Sequence, residues 1–192
     1  MPPSSAEPAA LTAALRHTFR NQKQLAEKAL AQVTDEQFLA RQEAAIDPVA
    51  VTVKHVGGNL RSRWSEFLTT DGEKPDRNRD GEFALAEGED RAAIMALWEA
   101  GWSELFGTLD ALQPVDWSAQ VTIRGEAHTV SEAALRSLAH TSYHVGQIVL
   151  LAKRAAGKRW GTLSIPRARS EAFRIRPARY LDGPRDDPGS HS

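Results

Sequence analysis

Two histidines, His140 and His144, stand four residues apart among Leu, Ile and Val in the stretch RSLAHTSYHVGQIVLL, in a chain with six histidines and no cysteine. Imidazoles at i and i+4 of a helix leave adjacent turns in the same direction, close enough to share one ion, and a third imidazole from a facing helix completes a triangular set. His55, in VAVTVKHVGGNL, is the well-placed third candidate. His17 falls on another helix, His128 in a hairpin turn and His191 in the C-terminal tail. With no thiolate available, histidine and carboxylate side chains are the ligands this chain can offer a metal. Three neutral imidazoles would leave a divalent ion its full charge and at least one open coordination position, the layout of a reactive site and not of a closed structural one. The competing reading is structural, because a lone histidine beside a core is more often hydrogen-bonded there than bound to a metal.

The elements that must position these residues follow from the apolar spacing. Leu11, Leu15, Phe19, Leu25, Ala29 and Val33 recur every three to four residues and predict a long helix from Glu7 to about Gln32. Thr34 with Gln37 forms a capping-box pattern that predicts a short helical turn. Asp47 followed by Pro48 reads as the start of a second long helix running to about Leu68, with Val49, Val53, Val56, Leu60, Trp64 and Phe67 as its apolar stripe. His55 and Asn59 lie just beside that stripe. The segment TTDGEKPDRNRDGEFALAEGED has Gly, Pro and dense charge without periodicity and reads as a long surface loop. A third helix is expected from Asp90 to about Leu112, with Ile94, Leu97, Trp98, Gly101, Leu105 and Leu109 on one side. VTIRGEAHTV predicts a small hairpin, and Thr129 with Glu132 the capping box of a fourth helix reaching Gly157. At about 100° per residue, His140, His144, Gln147 and Leu151 fall within roughly 60° of arc, bordering the half of the wheel held by Ala134, Leu138, Val145, Ile148 and Val149. Four long helices with wide apolar faces make an all-α four-helix bundle the expected architecture.

Composition narrows the partners. The 192 residues suit one domain, and 24 basic side chains nearly cancel 25 acidic ones, so no overall field draws the chain to nucleic acid or a membrane surface. No apolar run approaches the roughly 20 residues of a membrane span, and the N-terminus MPPSSAEPAA lacks the features of a signal peptide. A cytoplasmic protein is expected. Beyond Gly157, Trp160, Leu163 and Ile165 are candidates to cover the bundle, and the Pro, Gly and Arg rich end divides the chain into a domain over 1–178 and a disordered tail over 179–192. From Lys153 to Arg179 nine Lys or Arg face one acid, Glu171. These charges read as a solubilising balance to the acidic third helix, with no stacking aromatics between them to mark a nucleic-acid surface.

The motif HTSYHVGQI, with one upstream histidine in VAVTVKHVGGNL, resembles the DinB-like (YfiT-like) superfamily of metal-dependent enzymes. NLRSRWSEFLTTDGEKPDRNRDGEF and WGTLSIPRARSEAF are similar to an uncharacterised subgroup of it. The resemblance covers Asp47 to Phe173. It implies a four-helix bundle, commonly a homodimer, with a metal triad that falls on His55, His140 and His144 in this sequence. Zinc or nickel is the implied divalent metal, and relatives with assigned activity include transferases and isomerases that use low-molecular-weight thiols as cosubstrates. Hydrolysis or thiol-dependent transfer on a small molecule is therefore expected, against the alternative of a non-catalytic metal-binding or stress-response module.

Three further residues enter as candidates. Asn59 sits one turn beyond His55 and could orient a bound water or substrate from outside the ligand set. In the loop, most charges read as solvated, while Arg77 or Arg79 could pair an acidic substrate group if the loop folds over the open position.

Overall fold

A computed structural model describes residues 6–166 and 168–175, which are mostly helical with one two-stranded sheet. The long helices are α1 (Ala6–Leu30), α3 (Val49–Trp64), α4 (Arg91–Ala111) and α5 (Val130–Ala156), and short α2 (Asp35–Leu39) and α6 (Ser170–Ile175) complete the α-helices among the described residues. The antiparallel strands β1 (Gln120–Ile123) and β2 (Glu126–Thr129) pair in register Gln120 with Thr129 through Ile123 with Glu126, just ahead of α5. The tail expected from Arg179 onward lies outside the described residues.

The core gathers the predicted apolar stripes. Leu15, Phe19 and Ala29 of α1, all six stripe residues of α3 and its C-terminal extension, and Ala134, Val145 and Ile148 of α5 are buried. Phe19 meets Trp64 and Trp102 edge-on, with centroids 5.9 Å and 6.2 Å away, which locks α1 to α3 and α4. Such rings favour the edge-to-face arrangement because the positive rim of one faces the negative face of the other. Burying a side chain like Phe19 contributes roughly 1.5–3 kcal/mol. The Trp64 indole N–H donates to Ser137 Oγ at 3.0 Å and ties α3 to α5.

The closest helix crossing is that of α3 and α4. A Cβ on Gly57 would stand 2.8 Å from the Leu97 carbonyl oxygen, and one on Gly101 would strike the Gly57 backbone, so both positions must be glycine for the helices to approach this far. Leu97 itself points outward and is 36% exposed, against the expectation that it shares the core face.

Helix ends follow the capping chemistry with one exception. Both capping boxes form, Thr34 with Gln37 and Thr129 with Glu132, and Asp90 accepts from the Ala93 N–H at 2.8 Å to start α4. Gly157 ends α5 in a positive-φ conformation. The exception is α3, whose N-cap is Pro48 without a side-chain cap. Asp47, expected as that cap, instead accepts from Arg41 Nη2 at 2.8 Å, because an ion pair is open to it on the surface. The helix also stops at Trp64 and not at Leu68. Glu66 takes φ 46°, a left-handed conformation that turns the chain toward the loop. His128 lies on β2, while the hairpin turn belongs to Arg124 and Gly125, both at positive φ as a tight two-residue turn requires. Trp160 and Leu163 pack against the core as expected.

The loop after α3 is built and not merely solvated. Gly72 N–H donates to the Thr122 carbonyl at 2.8 Å, and the Asp71 carboxylate accepts from the backbone N–H groups of Glu73, Arg124 and Gly125. One acidic side chain thereby fastens the loop to the hairpin turn. Further on, a 3-10 turn at Asp80–Phe83 packs on α3.

Candidate metal centre

His55 projects from the middle of α3 and His140 and His144 from successive turns of α5, so the packing of these two helices brings the three rings together. Ring centroids are 5.2 Å apart for His55 and His140, 4.7 Å for His55 and His144, and 4.5 Å for His140 and His144. One nitrogen of each lies within 4.8 Å of the others, a group that could hold a metal ion. The Nε2 atoms of His55 and His140 are 3.3 Å apart. Two imidazoles on a tetrahedral ion, each at about 2.0–2.1 Å, would stand about 3.3 Å apart, so the observed spacing suits a shared cation without rearrangement.

The partners of the outer nitrogens fix which lone pairs are free. His55 Nδ1 lies 2.8 Å from Glu82 Oε2, and since a carboxylate only accepts, Nδ1 carries the hydrogen and Nε2 the lone pair. His144 Nδ1 lies 2.7 Å from Gln147 Oε1, which likewise accepts, and leaves Nε2 as the free donor atom. Gln147 is held in turn by its amide N–H on the Tyr143 hydroxyl at 3.1 Å. Outer partners of this kind orient imidazole ligands and raise their basicity.

Burial and neighbouring charge favour the neutral form of His140 and His144. Burial, then the neighbouring His144, His55, Arg63 and Arg77, push His140 down to about 3. Burial also lowers His144, against the Gln147 hydrogen bond that works to raise it. Neutral imidazole is the form that binds a metal.

Glu82 is the residue the sequence did not disclose. Its side chain is 8% exposed, and Arg77 donates to both of its oxygens, Nε to Oε1 at 2.8 Å and Nη2 to Oε2 at 2.7 Å. Burial works to raise this carboxyl, but the hydrogen bonds from His55 and Arg77 and the Arg77 charge outweigh it and hold Glu82 below its ordinary value. Arg77 also reaches Glu73 Oε1 at 3.2 Å, and Glu73 Oε2 accepts from Arg63 and Arg124 at 2.9 Å each. The expectation that Arg77 pairs a substrate is thereby corrected. A guanidinium whose side chain is 5% exposed must be paired inside the protein, and Glu82 and Glu73 do this. Arg79 remains half-exposed and lies over the Phe83 ring at 5.1 Å.

A sequence signal for Glu82 existed in Gly57–Gly58, two glycines inside a helix next to His55, each costing about 1 kcal/mol of helix propensity. A Cβ on Gly58 would overlap the Glu82 carboxylate, so Gly58 is the opening through which Glu82 reaches His55. Asn59, expected to support the site, is buried and lines the cleft beside the triad. His55 itself is oriented by Glu82, through the hydrogen bond at Nδ1.

The described residues thus form a mostly helical protein in which two helices present a three-imidazole cluster, backed by a carboxylate and an amide, in the lining of an arginine-bordered cleft. The model of the family described as "Protein of unknown function (DUF1572)" matches residues 8–169, and the chain belongs to that family. Searches of curated proteins and of solved structures give no match. Among the described residues, no helix is long and apolar enough to cross a membrane.

Proposed function

We propose that this protein is a metal-dependent enzyme of the DinB-like (YfiT-like) type, a four-helix bundle in which His55, His140 and His144 hold one divalent ion, zinc or nickel. The observation that carries the reading is the pair of outer hydrogen bonds, Glu82 on His55 and Gln147 on His144, which leave Nε2 of both rings as the unprotonated nitrogen, that of His55 3.3 Å from His140 Nε2. Histidines kept only for core packing need no such agreement of tautomers. A divalent ion in this donor set supplies Lewis acidity and lowers the pKa of a bound water or thiol. Glu82, charged and clamped by Arg77, stabilises positive charge on His55 as the ring gives up electron density. The cleft bordered by Phe83, Ile123 and Ala133 receives the substrate next to the triad. The reaction is hydrolysis or thiol-dependent transfer on a small molecule. With no cysteine in the chain, a thiol nucleophile must arrive as a low-molecular-weight cosubstrate. In this reading the chain works as a homodimer in the cytoplasm and does not bind nucleic acid.

Elemental analysis of the purified protein tests the metal. About one divalent ion per chain is expected, with most of it lost in His144→Ala while far-UV circular dichroism stays helical. Unchanged occupancy in that variant removes His144 from the ligand set. Assays of electrophilic substrates with and without glutathione, mycothiol or bacillithiol then separate transfer from hydrolysis, with chelated protein and His55→Ala as controls. Absence of metal-dependent turnover across both arms favours a non-catalytic metal-binding module.

A further inference from the structure

The cleft beside His140 has a volume of about 300 Å³, and five arginines border it: Arg63, Arg77, Arg79, Arg124 and Arg136. Three carboxylates, Glu73, Glu82 and Asp80, pair with this group. Positive charge is therefore in excess. Arg63 and Arg77 are committed to the protein, the first to Glu73 and the Gly72 carbonyl, the second to Glu82 and Glu73.

The other three keep donors free. Arg124 gives Nε to Glu73, and its side chain is 54% exposed. Among the described residues, Arg79 has only the fully exposed Asp80 at 4.0 Å as a counter-charge. Arg136 forms no ion pair among the described residues and lies one turn before His140 on α5, about 6 Å along the axis, on the same face of the helix. Solvated arginines usually spread over a convex surface. Here they border one concavity whose lining also includes Phe83, Ile123 and Ala133, where a lower effective dielectric strengthens their pull on an anion.

We propose that this cleft binds the anionic group, carboxylate or phosphate, of the molecule that reacts at the histidine triad, with Arg136, Arg124 and Arg79 as the gripping residues. The planar guanidinium fork matches either oxyanion in bidentate fashion, while Phe83 and Ile123 cover the carbon skeleton. This assignment rests on the triad as the reacting centre, and the test separates the two.

Full-length protein, as purified and after chelation, is titrated by calorimetry with inorganic phosphate, phenylacetate and the neutral phenylacetamide. At least one anion binds and the amide does not. Arg136→Gln and Arg124→Gln each weaken anion binding about tenfold, whereas Arg20→Gln, outside the cleft, leaves it unchanged. Tighter binding of phosphate or of phenylacetate assigns the class of group. Metal content is measured in every variant, so a chain that holds no metal can still show arginine-dependent binding in both preparations. The inference is overturned if neither anion binds, if the amide binds equally, or if an Arg79→Gln, Arg124→Gln, Arg136→Gln triple variant keeps wild-type affinity. It is also overturned if binding disappears on chelation but ignores the arginine substitutions, since the anion would then sit on the metal alone.

Discussion

Glu82 Oε2 lies 2.8 Å from His55 Nδ1, across a separation of 27 residues, and is the only carboxylate among the described residues that touches the triad through a hydrogen bond. Replacing it by Ala removes the group that orients His55 and leaves Arg77 buried without its main partner. Metal affinity should fall by roughly 10–100-fold, the usual loss for a second partner of an imidazole ligand, and stability by about 3 kcal/mol. Gln147→Leu, which touches an imidazole only through a neutral amide, should cost less affinity and little stability. Chelator competition and urea unfolding measure both, and equal losses in the two variants would contradict the ranking.

Gly58→Ala distinguishes propensity from packing. In an exposed helix the change would stabilise by about 1 kcal/mol, but here the new methyl meets the Glu82 carboxylate. A net loss of about 1–3 kcal/mol is expected, together with weaker metal binding as Glu82 is displaced. A higher melting temperature with intact metal affinity would show that Glu82 does not sit against Gly58.

Acid should unfasten the loop from the hairpin. Burial works to raise the Glu73 carboxyl, but hydrogen bonds from Arg63 and Arg124 and the charges around it hold it at about 2, below its ordinary 4.5. For a carboxyl depressed in the folded state, the stabilisation is fully present above the unfolded value and is lost as pH falls from about 4.5 through about 2. Asp71 is depressed in the same direction, by backbone hydrogen bonds from Gly125, Glu73 and Arg124 that overcome its desolvation. Melting temperature should therefore drop more steeply between pH 5 and pH 3 in wild type than in Glu73→Gln, which starts lower at pH 7. Parallel curves would mean that Glu73 contributes nothing to the acid response.

The capping box of α5 also has a measurable role, since Thr129 Oγ1 accepts from Glu132 N–H at 3.2 Å and Glu132 Oε2 accepts from Thr129 N–H at 2.8 Å. Thr129→Ala should cost about 1 kcal/mol, read by urea unfolding. No change in the midpoint would place the start of α5 under the control of packing alone.

The helical wheel determined the histidine cluster. His140 and His144 share a face because the helix repeats every 3.6 residues, and His55 stands beside the stripe Val49, Val53, Val56 and Leu60 for the same reason, so the candidates are legible in the spacing and the packing of α3 on α5 brings them together. Capping pairs such as Thr34 with Gln37 are equally legible, because each is a local exchange of hydrogen bonds between side chains and backbone N–H groups three residues apart. Local rules failed where a competing partner or a turn lay outside their window. Asp47 took Arg41 in place of the α3 N-cap, and Glu66 ended that helix before Leu68.

Beyond the hint of Gly58 inside α3, the support of the site was decided by tertiary structure. Glu82, Arg77 and Glu73 belong to an aperiodic loop whose composition reads as solvated charge. They became ion pairs, that of Arg77 with Glu82 buried, because Gly58 leaves space on α3 and Asp71 pins the loop to the hairpin turn. No periodicity carries that information, because burial of a loop charge depends on which distant surface receives it. The sequence thus determined which imidazoles meet, and the folding of the loop onto α3 decided which carboxylate orients them and which arginines remain free to face the cleft.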